Sequence, residues 1–127
     1  RLNFTSNKSN ILLGSDKEQM NRVIFNLIKN SIESIQQKAE NSSDFDKIIT
    51  IEIFEKNNQI TIIIIDNGLG FGVFENNVNE ILNPYVTTKK NGTGLGLSIV
   101  NKIINDHNGK LNFISIQNGA KVEIIFN

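Results

Sequence analysis

Four short stretches of this sequence hold residue types at spacings that suit chemistry. Their order along the chain informs as much as any one of them. The first is Asn26-Leu27-Ile28-Lys29-Asn30-Ser31. Asn26 and Asn30 are four apart, so on a helix they share a face, directly beside the apolar Leu27 and Ile28. An amide oxygen is a neutral, hard donor that suits Mg²⁺, an ion that takes few protein ligands and leaves the rest to phosphates and water. Two solvated or capping asparagines would give the same letters. The second stretch is Asp66-Asn67-Gly68-Leu69-Gly70, which ends an apolar run. A carboxylate there is costly unless it finds donors. An adenine amino group is such a donor, whereas the guanine oxygen would set acceptor against acceptor, a mismatch of about 1–3 kcal/mol. Gly68 and Gly70 would let the backbone turn sharply and a base approach closely. An ordinary Asp-Asn-Gly turn is the alternative.

The third stretch is Gly92-Thr93-Gly94-Leu95-Gly96-Leu97, at the start of a helical pattern. Bare backbone N–H groups at a helix start make an anion site. The spacing is not that of a dinucleotide fingerprint, no strand precedes it, and no G-x-x-x-x-G-K-[ST] occurs. Alone, a glycine loop is a weak signal. The fourth is Pro84-Tyr85-Val86-Thr87-Thr88-Lys89-Lys90, whose hydroxyls and lysines suit transient phosphate contacts or plain loop duty.

These residues need elements to position them. Met20, Val23, Ile24, Leu27, Ile28, Ile32 and Ile35 recur at helical spacing behind the capping types Ser15 and Asp16. This predicts a long amphipathic helix from about Asp16 to Ala39, followed by a polar turn from Glu40 to Asp46. Before it, Leu2, Phe4 and Ile11 to Leu13 predict two short strands or one broken strand. Ile49, Ile51 and Ile53 alternate with polar or larger residues, as a half-buried strand does. A hairpin turn follows at Lys56 to Gln59, then the β-branched run Thr61 to Ile65, which predicts a central strand covered on both faces. Gly68 to Gly92 reads as a long irregular segment with at most one short helix near Asn76 to Leu82. A helix is expected from Gly94 to Asn105, ended by Asn108-Gly109, and a last hairpin around Asn118-Gly119. The sum is an α/β (α+β) two-layer sandwich, with a mixed, mostly antiparallel sheet packed on about three helices.

Size and composition narrow the classes. At 127 residues the chain suits one domain with a real core. Formal net charge is zero, so no basic field argues for nucleic acid. With no cysteine there is neither a disulfide nor thiolate chemistry. The longest apolar run, Ile60 to Ile65 with Thr61 inside it, is too short to span a bilayer.

Taken in order, the amide helix, the strand with Asp-x-Gly-x-Gly, the long lid and the Gly-x-Gly-Leu-Gly helix resemble the Bergerat-fold (GHKL) ATPases. That group joins histidine kinases, type II topoisomerases, Hsp90 chaperones and MutL-type repair proteins. The likeness covers nearly the whole chain, 1–127, as one catalytic ATP-binding domain. Asn26 to Asn30 is similar to the N box, Asp66 to Gly70 to the first glycine box, and Gly92 to Leu97 to the second. Leu82 to Tyr85 is similar to the F box, with Tyr85 where Phe is usual.

The hydrolytic branches carry a water-activating glutamate one helical turn before the metal-binding asparagine, and Asn26 stands there. The resemblance is therefore to sensor histidine kinases. The Pro84 to Val100 segment and Glu33 are closest to the nitrogen-regulation NtrY/NtrB type. What this implies is ATP and Mg²⁺ as cofactors, with Asn30 on the metal and Asn26 assisting. Asp66, Gly68 and Gly70 would lie at the base. Thr93, Gly94, Leu95, Gly96 and Leu97 would lie at the phosphates, with Thr88 and Lys89 as lid contacts. The resemblance also implies that the γ-phosphoryl passes to a histidine on a separate dimerisation domain, expected upstream of Arg1, and then to a response regulator. No general base is expected in this chain. His107, in Asp106-His107-Asn108-Gly109, fits a helix end and not a phosphoacceptor. The chain is expected to be a cytoplasmic, monomeric piece of a dimeric parent, with the bacterial inner membrane as a site for that parent. Two other readings stand beside this one. The first is a Bergerat ATPase or a serine-kinase anti-sigma factor, and the second is a nucleotide-sensing module that only binds.

Overall fold

The β-branched run lies in the middle of the sheet, as its composition requires. The computed structural model describes residues 1–7, 17–42, 44–70 and 96–127. Their elements are β1 (Leu2–Ser6), α1 (Lys17–Asn41), β2 (Ile49–Lys56), β3 (Gln59–Asp66), α2 (Gly96–Asp106), β4 (Lys110–Ile116) and β5 (Gly119–Phe126). The five strands are ordered β1-β2-β3-β5-β4, which makes β3 central. Among the described residues only β1 and β2 pair in parallel, and every other pair is antiparallel. A parallel pair needs a crossover, and α1 is in the segment that makes it.

The strand period then assigns the faces. Ile49 and Ile51 of β2, Ile60, Ile62 and Ile64 of β3, and Ile124 and Phe126 of β5 pack in one core. Val23, Leu27 and Ile35 of α1, with Val100, Ile103 and Ile104 of α2, cover that face. On the opposite face Thr61 and Ile63 are also buried, although no described helix lies there. Their cross-strand neighbours Phe54, Glu52, Ile125 and Glu123 stand on either side of them. The expectation of a strand covered on both faces is met at Thr61 and Ile63, which are buried on that face.

Turn chemistry accounts for the connections. Asn57 and Asn58 both have positive φ, 54° and 64°, between the paired Lys56 and Gln59. That is the two-residue hairpin whose twist matches its strands. The second hairpin closes from Ile116 to Gly119 with Asn118 at φ 61°. α2 ends in a Schellman motif. Asn108 is left-handed, Gly109 N–H donates to Ile104 O at 2.9 Å, and Asn108 N–H donates to Asn105 O at 3.0 Å. His107 sits in this cap, with Nδ1 2.8 Å from Ile103 O, which agrees with the helix-end reading.

Some expectations move. α1 runs on to Asn41, two residues past Ala39, because nothing before Ser42 breaks a helix. The described residues hold two helices, against about three expected. The short helix near Asn76 to Leu82, the strand at Ile11 to Leu13, the caps Ser15 and Asp16 and the start of the Gly94 helix lie outside the described residues. No described helix is long and apolar enough to cross a membrane.

Ile64 is 1% exposed at the centre of this sheet. Ile64→Ala is expected to lower unfolding free energy by about 2–5 kcal/mol in a urea titration. Ile114→Ala, on the outer face of the edge strand β4, should stay within about 0.5 kcal/mol.

Candidate functional site

Asp66 is the last residue of β3 and continues the row of Ile60, Ile62 and Ile64, so its carboxyl points into the helix layer. It is 6% exposed. The helix opposite has changed to receive it. The buried positions of α1 are Val23, Leu27, Ser31 and Ile35, one every four residues, and Ser31 is the polar one. The Ser31 hydroxyl donates to the Asp66 carboxylate, and Gly68 N–H donates to Asp66 Oδ1 at 2.9 Å. Burial nevertheless dominates and pushes the Asp66 carboxyl above its ordinary value. The bonds from Gly68 and Ser31 and the charge of Lys38 only partly offset that rise.

The turn after Asp66 is held residue by residue. Asn67 Oδ1 accepts from Ile48 N–H at 2.9 Å, and its Nδ2 donates to Asp46 O, which ties the turn to the approach of β2. Asn67 O accepts from Lys38 Nζ at 2.9 Å. Leu69 N–H donates to Ser34 Oγ at 2.9 Å. A Cβ on Gly68 would fall 2.7 Å from Ser34 C and 2.8 Å from Ile35 N, so this glycine is bare to admit α1. Gly70 has φ +77°, a left-handed turn, and lies against the backbone of Gly119. Gly119 in turn lies close against Asp66 and Asn67, where a Cβ would stand 3.1 Å from Asn67 Cα.

Asn26 and Asn30 sit half-buried on α1, further toward its N-terminus. At the start of α2, a Cβ built on Gly96 would lie 3.9 Å from Asn26 Oδ1. The N-box helix and the second glycine stretch therefore meet, about seventy residues apart in sequence. Leu97, next along α2, packs against the core. Asn26, Asn30, Ser34 and Lys38 form a single i, i+4 row. One end of the row meets α2 and the other the Asp66 turn. Among the described residues no three of His, Cys, Asp and Glu come together as a metal site. Thr88, Lys89, Thr93, Gly94 and Leu95, expected at phosphates and lid, lie outside the described residues, as does Leu82 to Tyr85.

Sequence reasoning assigned no part here to Ser31, Ser34, Lys38, Asn67 or Gly119. For Ser31 there was a signal, since a serine occupies a core position of an otherwise apolar row. The other four are ordinary types in ordinary places until the chain folds.

Comparison with known proteins bears on the fold and the family. The family described as histidine kinase-, DNA gyrase B-, and HSP90-like ATPase matches residues 15–127. The sensor histidine kinase ZraS of Salmonella typhi is 32% identical over 99% of this chain, which spans 25% of that protein. An NtrY-like sensor histidine kinase of Rickettsia conorii is 34% identical over 97% of this chain and 19% of its own length. The chain thus spans about a quarter or less of these relatives. Among solved structures, the catalytic domain of histidine kinase ThkA superposes with a TM-score of 0.79 at 28% identity, over 98% of this chain and 76% of that one.

The raised carboxyl of Asp66 has a measurable consequence. Between its unfolded and folded values the folded chain binds more proton, so stability falls as pH rises through that window. The cost is complete above the folded value and absent below the unfolded one. Asp66→Asn should flatten this slope in urea titrations across acid pH, since an amide can still accept from Gly68 N–H.

Proposed function

The chain belongs to the family of histidine kinase-, DNA gyrase B- and HSP90-like ATPases. From that premise we propose that residues 1–127 are the catalytic ATP-binding domain of a two-component sensor histidine kinase. The domain binds Mg-ATP and presents the γ-phosphoryl to a histidine on a separate dimerisation domain of the same kinase. A cognate response regulator then receives the phosphoryl on an aspartate. The observation that carries this reading is the buried Asp66 carboxylate, desolvated yet held by Gly68 N–H and Ser31, in a turn fixed to the helix that bears Asn26 and Asn30.

The residues fit such a ligand. A buried acceptor favours an amino-bearing base over one that presents an oxygen. Asn30 offers an amide oxygen for Mg²⁺, with Asn26 assisting, and the phosphates complete the shell. Gly96 and Leu97 open α2, whose N-terminal dipole favours anions. Thr93, Gly94 and Leu95 would extend that cradle, and Thr88 and Lys89 would contact the phosphates from the lid. Bound nucleotide supplies the transferable phosphoryl, while the chain binds, orients and keeps water from reacting. In-line transfer depends mainly on positioning and charge stabilisation. Asn26 cannot abstract a proton from water as a glutamate can, so turnover is directed to a partner side chain. The parent is proposed to act as a homodimer on the cytoplasmic side of a bacterial membrane.

Titration calorimetry should show ADP binding that exceeds GDP binding at least tenfold and weakens when Mg²⁺ is removed. Asp66→Asn should cut ADP affinity by about tenfold or more, the loss of one buried charged contact. Phosphate release from ATP by this chain alone should be barely above background. Equal binding of both bases, or brisk hydrolysis, would overturn the reading.

A further inference from the structure

Four consecutive residues, Asp66 to Leu69, are each held by α1, and by the same face of it. Ser31 serves the Asp66 carboxylate, and Lys38 holds the Asn67 carbonyl. The backbone at Ser34 and Ile35 abuts Gly68, and Ser34 Oγ accepts from Leu69 N–H. Ser31, Ser34 and Lys38 stand at i, i+3 and i+7, so a rigid helical surface is the template on which the turn is laid. Lys38 is itself held. Its Nζ lies 4.6 Å from the centre of the Phe45 ring, so the ammonium sits between an aromatic face and a carbonyl.

We propose that Ser31 and Lys38 are positioning residues that set base selectivity, by fixing the Asp66 carboxylate and the turn behind it on α1. The inference rests on the reading that Asp66 faces the base. A carboxylate distinguishes an amino group from an oxygen only while its own oxygens are held in place. One donor to that carboxylate comes from the next backbone, Gly68 N–H, and moves with the turn. The Ser31 hydroxyl comes from another element and does not. Ser31 is 4% exposed, so its hydroxyl has no water to turn to instead. Loss of it frees the carboxylate to rotate, which weakens the amino contact and relieves the clash with an oxygen. Lys38 acts one residue on, by keeping the Asn67 peptide from tilting.

This gives a signature that mere destabilisation lacks. Asp66 faces the base edge and its anchors act through it, so the ratio of ADP to GDP affinity should change. A structural defect would weaken both nucleotides alike, because they share every phosphate contact.

The test is calorimetric titration of ADP and GDP with Mg²⁺ on wild type, Ser31→Ala, Ser31→Thr, Lys38→Met and Lys38→Arg, each with a urea midpoint to establish folding. Ser31→Ala should lose about tenfold in ADP affinity while GDP changes less than about twofold. Ser31→Thr, which keeps the hydroxyl, should recover most of the ratio. Lys38→Met should narrow the ratio by about threefold, and Lys38→Arg should restore it. If wild type discriminates but Ser31→Ala and Lys38→Met keep its ratio, or lose both nucleotides by one factor, the inference is wrong and the base reading stands. If wild type binds both bases equally, the base reading fails and takes the inference with it.

Discussion

An ionisable carboxyl at the end of a buried strand is the constraint that the rest of this structure accommodates. The alternation that buries Ile60, Ile62 and Ile64 also sends Asp66 into the helix layer. A bare carboxylate there would be prohibitive. The fold answers with Ser31 in the otherwise apolar row of α1, with Gly68 N–H folded back beneath the carboxyl, and with Lys38 nearby. Burial still outweighs these donors, since the carboxyl remains raised. A group held short of full compensation is suited to a donor that arrives from outside, which is what a binding site needs and a purely structural buried pair does not.

The same constraint explains the two close backbone approaches. The turn reaches the α1 donors only if nothing separates Gly68 from Ser34 and Ile35. On its other side, β5 must come near the end of β3, and Gly119 permits it. Neither glycine is needed for a regular strand. Both serve to bring a loop, a helix and a strand within bonding distance at one point. Asn67 completes the arrangement by joining the turn to Asp46 and Ile48, the lead-in to β2.

α1 is thereby more than a cover for the sheet. Its apolar row stabilises the core, and its polar row spans from the start of α2, at Asn26, to the Asp66 turn, at Ser34 and Lys38. A helix is stiff over this length, so the amides of Asn26 and Asn30, proposed for the metal, and the Asp66 turn, proposed for the base, keep a fixed separation. The relatives named as sensor histidine kinases extend well beyond this chain. Their likeness, with the family match, establishes the fold and the ATPase kinship. The chemical assignment rests on the site, because one fold can host several phosphoryl acceptors.

Much of this was legible in the letters. The apolar stripe of α1, the β-branched run that became the central strand, the Asn57-Asn58 hairpin and the Asn108-Gly109 helix stop are local patterns. Local patterns report period and turn chemistry directly. The order of the four motifs was enough to indicate the family. What sequence could not assign was the support of the site. Ser34 meets a backbone N–H 35 residues away, and Lys38 meets a carbonyl 29 residues away. In one dimension they are a helix serine and a helix lysine, types that usually face solvent. Gly119 read as half of a turn, and its contact with Asp66 exists only because β5 pairs with β3. The sequence by itself determined which elements form and which residue types are available for binding. Only the tertiary structure decided which of them meet, because hydrogen bonds and close backbone approaches depend on distances that no local spacing encodes.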